Sequence, residues 1–270
     1  MVLDICDINA IVGDYKWSEI SEIYANGVNS VKSDGSVRTI GGFAAGEGKK
    51  HGVDTYYGTA TPLDDFVSAA LNGTGVWAGE SDAVRKQGVQ KGIMNQTMIA
   101  WVVHELNAAL AKAADGNFDA ASGAPHNWDE AWAFYHGADP SCGPFATANK
   151  RAKDFGTQGA DGETALANEG LLKAMNDGRD ALLAGDEAGA IAATRDAVKH
   201  VFTTYAQATI KYASKVYSDL EAGDTEAARV HQAEGWAFFR IIEPILGNNG
   251  IDTSVIDSIL NMENEPGSGS

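Results

Sequence analysis

Gly185-Asp186-Glu187-Ala188-Gly189-Ala190 and Gly223-Asp224-Thr225-Glu226-Ala227-Ala228 carry the same instruction: a glycine that stops one helix, then an aspartate that caps the next. Gly116-Asn117-Phe118-Asp119-Ala120-Ala121 is a third, altered copy. Around these turns the segments 163–183, 186–220 and 224–246 read as helix. Upstream, Ser81 and Asp82 offer an N-cap, and Ile99, Val103, Leu106 and Leu110 form a stripe at spacings 4, 3, 4. That long amphipathic helix runs out at Ala113-Ala114-Asp115-Gly116. The turns therefore predict helix hairpins and an all-α helical bundle. Tetratricopeptide-type stacking is disfavoured, because the turns recur after 69 and then 38 residues.

The first 75 residues differ in character. They are rich in Gly and Ser, with short helix candidates near Tyr15–Tyr24 and after Thr61-Pro62, where Thr61 can cap and Pro62 fits the first turn. This loop-rich N-terminal segment is expected to wrap the bundle. A second repeat is more specific: Asp129-Glu130-Ala131-Trp132-Ala133-Phe134-Tyr135 matches Ala233-Glu234-Gly235-Trp236-Ala237-Phe238-Phe239, 104 residues on. It suggests two pseudo-repeated halves, about 81–150 and 186–250, within one helical domain spanning 1–265. Residues 266–270 read as an appended linker tail, and Met1 before Val2 suits a mature sequence cut from a longer precursor.

Composition bounds the partners. The chain has 270 residues, 37 Asp+Glu against 20 Lys+Arg and a net charge of -17, while 44% apolar residues and six tryptophans exclude a disordered acidic chain. Nucleic acid and anionic lipid surfaces are repelled, and cations, metal ions among them, are favoured. No run of 18 apolar residues exists to insert into a membrane. On the residues alone, Cys6 and Cys142 are either a long-range disulfide or two buried thiols.

Nucleophile elbows, phosphate-cradling glycine loops and CxxC are absent, which leaves oxygen and imidazole chemistry. His231-Gln232-Ala233-Glu234 places an imidazole and a carboxylate on one helix face. In the paired element His126 and Glu130 are four apart, so if the two copies face each other, four ligands converge. Competing structural readings exist: Glu130 as the back-reaching member of a capping box begun by Asn127, His231 as a surface histidine, His104 beside Glu105 as a satisfied helix residue, and Trp132, Phe134, Trp236, Phe238 and Phe239 as core. Phenolate suits Fe(III), which singles out Tyr56-Tyr57 and Tyr135, each otherwise a half-buried aromatic. Glu19 and Glu22 form a weak i,i+3 carboxylate pair.

Asn127-Trp-Asp-Glu-Ala-Trp-Ala-Phe-Tyr-His-Gly137, Ser141-Cys142-Gly143-Pro144-Phe145 continuing to Arg151, and His231-Gln-Ala-Glu-Gly-Trp-Ala-Phe-Phe-Arg-Ile-Ile-Glu-Pro244 resemble the iron-assimilating, low-iron-inducible periplasmic proteins of green algae. Related phytotransferrins share this domain. The resemblance extends to Ile23-Tyr24-x-x-Gly27-x-Asn29-Ser30 and the loop around Tyr56-Tyr57, and so to nearly the whole chain. The His-x-x-Glu is also similar to imelysin-like iron-uptake proteins, but Arg229 stands where they have glycine, which makes that link distant.

The resemblance implies a non-enzymatic, secreted, periplasmic or cell-surface protein that captures ferric iron with carbonate as synergistic anion and passes it to a surface reductase or permease. The implied ligands are Glu130, Glu234, His231, His126, Tyr135 and Tyr57, with Arg240 and Arg151 as anion-binding guanidiniums. A secreted context also favours pairing of Cys6 with Cys142. The rival expectation is a di-iron oxidase or metal hydrolase in the bundle; only one reversed His-x-x-Glu, rather than two Glu-x-x-His units, speaks against it.

Overall fold

A computed structural model describes residues 1–267; positions 268–270 of the linker tail read from sequence lie outside the described residues. Among the described residues the chain is all α, and its only β pairing is two isolated bridges, Val31 with Val37 and Gln158 with Ala165. The helices are α1 Val2–Ile11, α2 Trp17–Asn26, α3 Ile40–Ala44, α4 Val53–Tyr57, α5 Pro62–Asn72, α6 Asp82–Lys91, α7 Met98–Ala114, α8 Ala124–Tyr135, α9 Pro144–Phe155, α10 Leu166–Leu183, α11 Glu187–Glu221, α12 Thr225–Asn248 and α13 Ser254–Leu260.

The two clearest sequence hairpins are formed. Gly185 and Gly223 both take positive φ, at 72° and 73°, which an L side chain resists and glycine does not. Asp186 then accepts from the Gly189 amide and Asp224 from the Ala227 amide, each at 2.9 Å. The result is three long helices folded back on one another, α10 on α11 and α11 on α12. The third copy behaves differently. Gly116 ends α7 with φ 72°, but its loop runs to Gly123 before α8 begins, so α7 and α8 pack through a longer connection.

The amphipathic helix opened by Ser81 is capped as expected, its Oγ accepting from the Val84 amide. It is not one regular helix. Between α6 and α7 lies a π-helical segment, Gly92–Thr97, buried throughout. This region packs on α5 and the turn after it through missing side chains: a Cβ on Gly88 would stand 2.5 Å from Trp77, and one on Gly92 would stand 2.7 Å from Val67.

The N-terminal 75 residues are more helical than their composition suggests. Five helices of 5 to 11 residues occupy much of the segment. Helices this short complete too few turns to display an apolar period, and the glycines between them read as loop. Thr61 precedes α5 but does not cap it; its hydroxyl bonds Asp65 instead. Cys6 and Cys142 form a disulfide across 136 residues, tying α1 to the loop before α9.

Candidate functional site

The twin Glu-x-Trp-Ala-Phe elements lie on α8 and α12 but do not converge. α8 packs against α7 and α10, and α12 against α11 and α6, so the glutamates look out on different surroundings. Glu130 has His126 Nε2 3.6 Å away in a half-exposed pair. Glu234 faces Lys91, Nζ to Oε1 3.2 Å. Asn127 is no cap, because α8 starts at Ala124 and the Asn127 amide donates to Glu105 Oε2. His231 turns away from Glu234 to Asp219 on α11, Nδ1 to Oδ2. Tyr135 is fully buried, its hydroxyl donating to Asn168 at 2.6 Å, and burial pushes that phenol well above its ordinary range. Arg229, in the position where imelysins carry glycine, is held by Glu80 and by the Met262 and Asn264 carbonyls. His104 accepts from the Lys50 amide, and burial together with Lys49 lowers it to about 4.

Three of the residues singled out in the sequence, Tyr56, Tyr57 and Arg240, meet in one cluster. Tyr57 closes α4 and Arg240 lies on α12, and a carboxylate that sequence reasoning passed over, Glu243, joins them. The Tyr57 hydroxyl donates to Glu243 Oε2 at 2.6 Å, and the Tyr56 hydroxyl lies 3.4 Å from Oε1. The two phenol rings meet edge to face with centroids 5.0 Å apart. Arg240 stacks its guanidinium 4.0 Å above the Tyr57 ring, with Phe66 and Trp236 rings at 5.1 and 5.3 Å. These walls hold the guanidinium flat while leaving its Nε without a partner.

Local sequence explains the approach. Pro244 has no N–H to donate to the Arg240 carbonyl one turn back, and that carbonyl sits 3.5 Å from the Tyr57 hydroxyl. One turn further on, Gly247 gives Tyr56 its seat: a Cβ there would stand 2.5 Å from the ring.

Burial dominates the electrostatics of the group. Burial pushes the Tyr57 phenol well above its usual range; Glu243 adds to the effect and Arg240 opposes it. Burial first, then Glu243, raises Tyr56. Burial also raises Glu243, against the bonds from the phenols and the field of Arg240. Asp257 adds negative charge nearby. Arg240 and His51 line a cavity of about 40 Å³ on the inner side, and His51 Nε2 is a second buried atom without a partner. The arrangement offers two phenols and a carboxylate to a hard cation, with a guanidinium beside them for an anion.

Among the described residues, three ligand atoms of His, Cys, Asp or Glu fall together only at Cys6, Cys142 and Asp139, where both sulfurs are committed to the disulfide. The tyrosines supply oxygen donors outside those four types. Glu243 was legible in principle: Arg240-Ile-Ile-Glu243-Pro244 puts a cation and an anion three apart on one helix face, just ahead of a helix-opening proline.

No helix among the described residues is long and apolar enough to cross a membrane. Comparison with curated proteins and with solved structures gives no significant match. A family profile described as low iron-inducible periplasmic protein, Fea1, matches residues 1–263. The fold is the all-α one expected from sequence, and the match covers nearly the whole chain: the protein belongs to the low iron-inducible periplasmic family.

Proposed function

We propose that the protein is a non-enzymatic binder of ferric iron in extracytoplasmic iron acquisition, taking Fe(III) at Tyr56, Tyr57 and Glu243 with carbonate held beside Arg240, and passing the iron to a surface uptake system. The observation that carries this reading is the convergence of both phenols on one half-buried carboxylate beneath a stacked guanidinium. Once ionised, the three groups carry three negative charges, which balance a trivalent cation and leave Arg240 to meet the synergistic anion. The family's low-iron induction supports the choice of cargo. Glu234, His231 and Tyr135 are not ligands in this reading, being engaged by Lys91, Asp219 and Asn168; nor are Glu130 and His126, which pair with each other on α8, and Arg151 lies on α9 rather than against the Tyr57 ring.

The test is titration of chelator-treated protein with Fe(III), with and without bicarbonate, read by the visible tyrosinate-to-Fe(III) absorption. Wild type should bind with bicarbonate and develop the band. The double variant E130A/E234A should keep both. Absence of binding near neutral pH under either condition overturns the function, and loss of binding in E130A/E234A with retention in E243Q overturns the site.

A further inference from the structure

Away from the tyrosine cluster, a cavity of about 420 Å³ is lined mainly by cations. It is framed by α6, the π-helical segment, α9, α11 and α12, and is lined by Lys91, Lys150 and Arg151 with Glu234 as the one carboxylate. Lys91 and Arg151 have side chains only 16% and 8% exposed, so these are not solvated surface charges. Asp154 does not offset the surplus, since it is shared: Arg151 Nε lies 3.0 Å from one of its oxygens and Lys211 Nζ 2.7 Å from the other. With Asp154 matched to Lys211, and Glu234 to Lys91, two positive charges stay uncompensated in a chain whose net charge is -17.

The cations are positioned rather than loose. Lys91 Nζ also donates to Gln90 Oε1 at 2.9 Å. Arg151 donates from NH1 to the Tyr212 hydroxyl at 3.2 Å, and its guanidinium lies 5.4 Å from the Tyr212 ring centroid and 5.9 Å from that of Phe238. Asn95 lines the same cavity, and its buried amide nitrogen has no partner although its oxygen accepts from Tyr205. Burial depresses Lys91, with Lys150 and Arg151 acting in the same sense against Glu234. Half-buried like charges and an unpartnered donor are costly unless an acceptor-rich anion completes them.

We infer that this cavity binds a small oxyanion of two or more negative charges, held by Lys91, Lys150, Arg151 and the Asn95 amide, at a site separate from the tyrosine cluster. Inorganic phosphate and a short polycarboxylate share that chemistry. The cavity walls suit either, since Phe238 and Met94 supply apolar surface beside the charges.

The experiment is calorimetric titration of iron-free protein at constant ionic strength with inorganic phosphate and, separately, with citrate. At least one should bind saturably at one site per chain, and the tighter of the two names the source. Lys150 is exposed, so K150Q should fold normally; R151K keeps the charge and loses the planar fork. Each should weaken binding about tenfold or more, the worth of one charge-assisted hydrogen bond, while R240Q should leave it unchanged. No saturable binding of either anion, wild-type affinity in both K150Q and R151K, or loss of binding in R240Q would overturn the inference. A thermal melt of each variant without ligand separates misfolding from a lost contact.

Discussion

Tyr57→Phe separates the tyrosine site from every other account of this chain. The substitution removes one oxygen. In the iron-free protein it deletes the 2.6 Å bond to Glu243 and leaves that half-buried carboxylate with Tyr56 at 3.4 Å as its remaining phenol partner. Leaving a buried acceptor short of a partner costs about 1–3 kcal/mol, or roughly 2–10 °C in melting temperature for a chain of this size. In the iron-bound protein the loss is larger. The ligand charge falls by one, and since removal of mere outer-shell partners costs about 10–100-fold in metal affinity, loss of a ligand should exceed ~100-fold. Tyr135→Phe is the matched control. It too deletes a 2.6 Å phenol bond in a buried setting, to Asn168, and should cost similar stability while sparing iron. The assay pairs denaturant unfolding of both variants with Fe(III) titration against a competing chelator, following the tyrosinate band. If Y57F binds iron like wild type while Y135F loses the band, the site is misplaced and Tyr135, the other tyrosine expected as a ligand from sequence, is the right one.

Iron capture should release protons and weaken steeply on acidification. Phenols raised above their ordinary range hold their protons at neutral pH, so Fe(III) must displace up to about two of them, and affinity falls as pH falls; a titration in weakly buffered solution that shows no proton release contradicts phenolate ligation. Gly247→Ala should push Tyr56 out of its seat, costing about 1–3 kcal/mol as overpacking does and reducing iron affinity more than Gly178→Ala, whose clash is with Trp128 between α8 and α10; equal affinity in the two variants would unseat Tyr56 from the ligand set. Opening the Cys6–Cys142 bridge with paired serines should lower stability by about 5 kcal/mol, the chain-entropy value for a loop of 136 residues, measurable as a shift in denaturant midpoint; a shift under 1 kcal/mol would show that the unfolded chain gains little freedom from its removal.

The parts of the fold written in local chemistry were legible. Gly185-Asp186 and Gly223-Asp224 state a stop and a start within two residues, and the structure uses both as read. The short N-terminal helices and the π-helical insertion at Gly92–Thr97 were hidden, because a helix of five residues has no period to display and an added π residue shifts the period it interrupts. The site divides along the same line. Tyr57 and Arg240 could be singled out by residue type, but their meeting depends on packing between α4 and α12 across more than 180 intervening residues. The repeated Glu-x-Trp-Ala-Phe element drew attention to Glu130 and Glu234 because repetition is visible in sequence. What decides each glutamate's role is its counter-charge, and Lys91 beside Glu234 is supplied by another helix.

That dependence on counter-charge gives α12 its two faces. Glu234 and Glu243 are nine residues apart, and at about 100° per residue they point to opposite sides of the helix. On one side Glu234 is a lone carboxylate among Lys91, Lys150 and Arg151; on the other Arg240 is a lone guanidinium among Glu243, Asp257 and two phenols. Each cluster thus keeps one group of the minority sign, contributed by the same helix. Without it, the remaining like charges would face one another across a poorly solvated space and oppose folding. The minority group leaves an excess of one sign rather than neutrality, which is the basis on which a cation is proposed for one cluster and an oxyanion for the other. Most of the 37 acidic residues need no further role than a solvated surface; in the two proposals, selection between cation and anion rests on a few charges whose partners α12 sets.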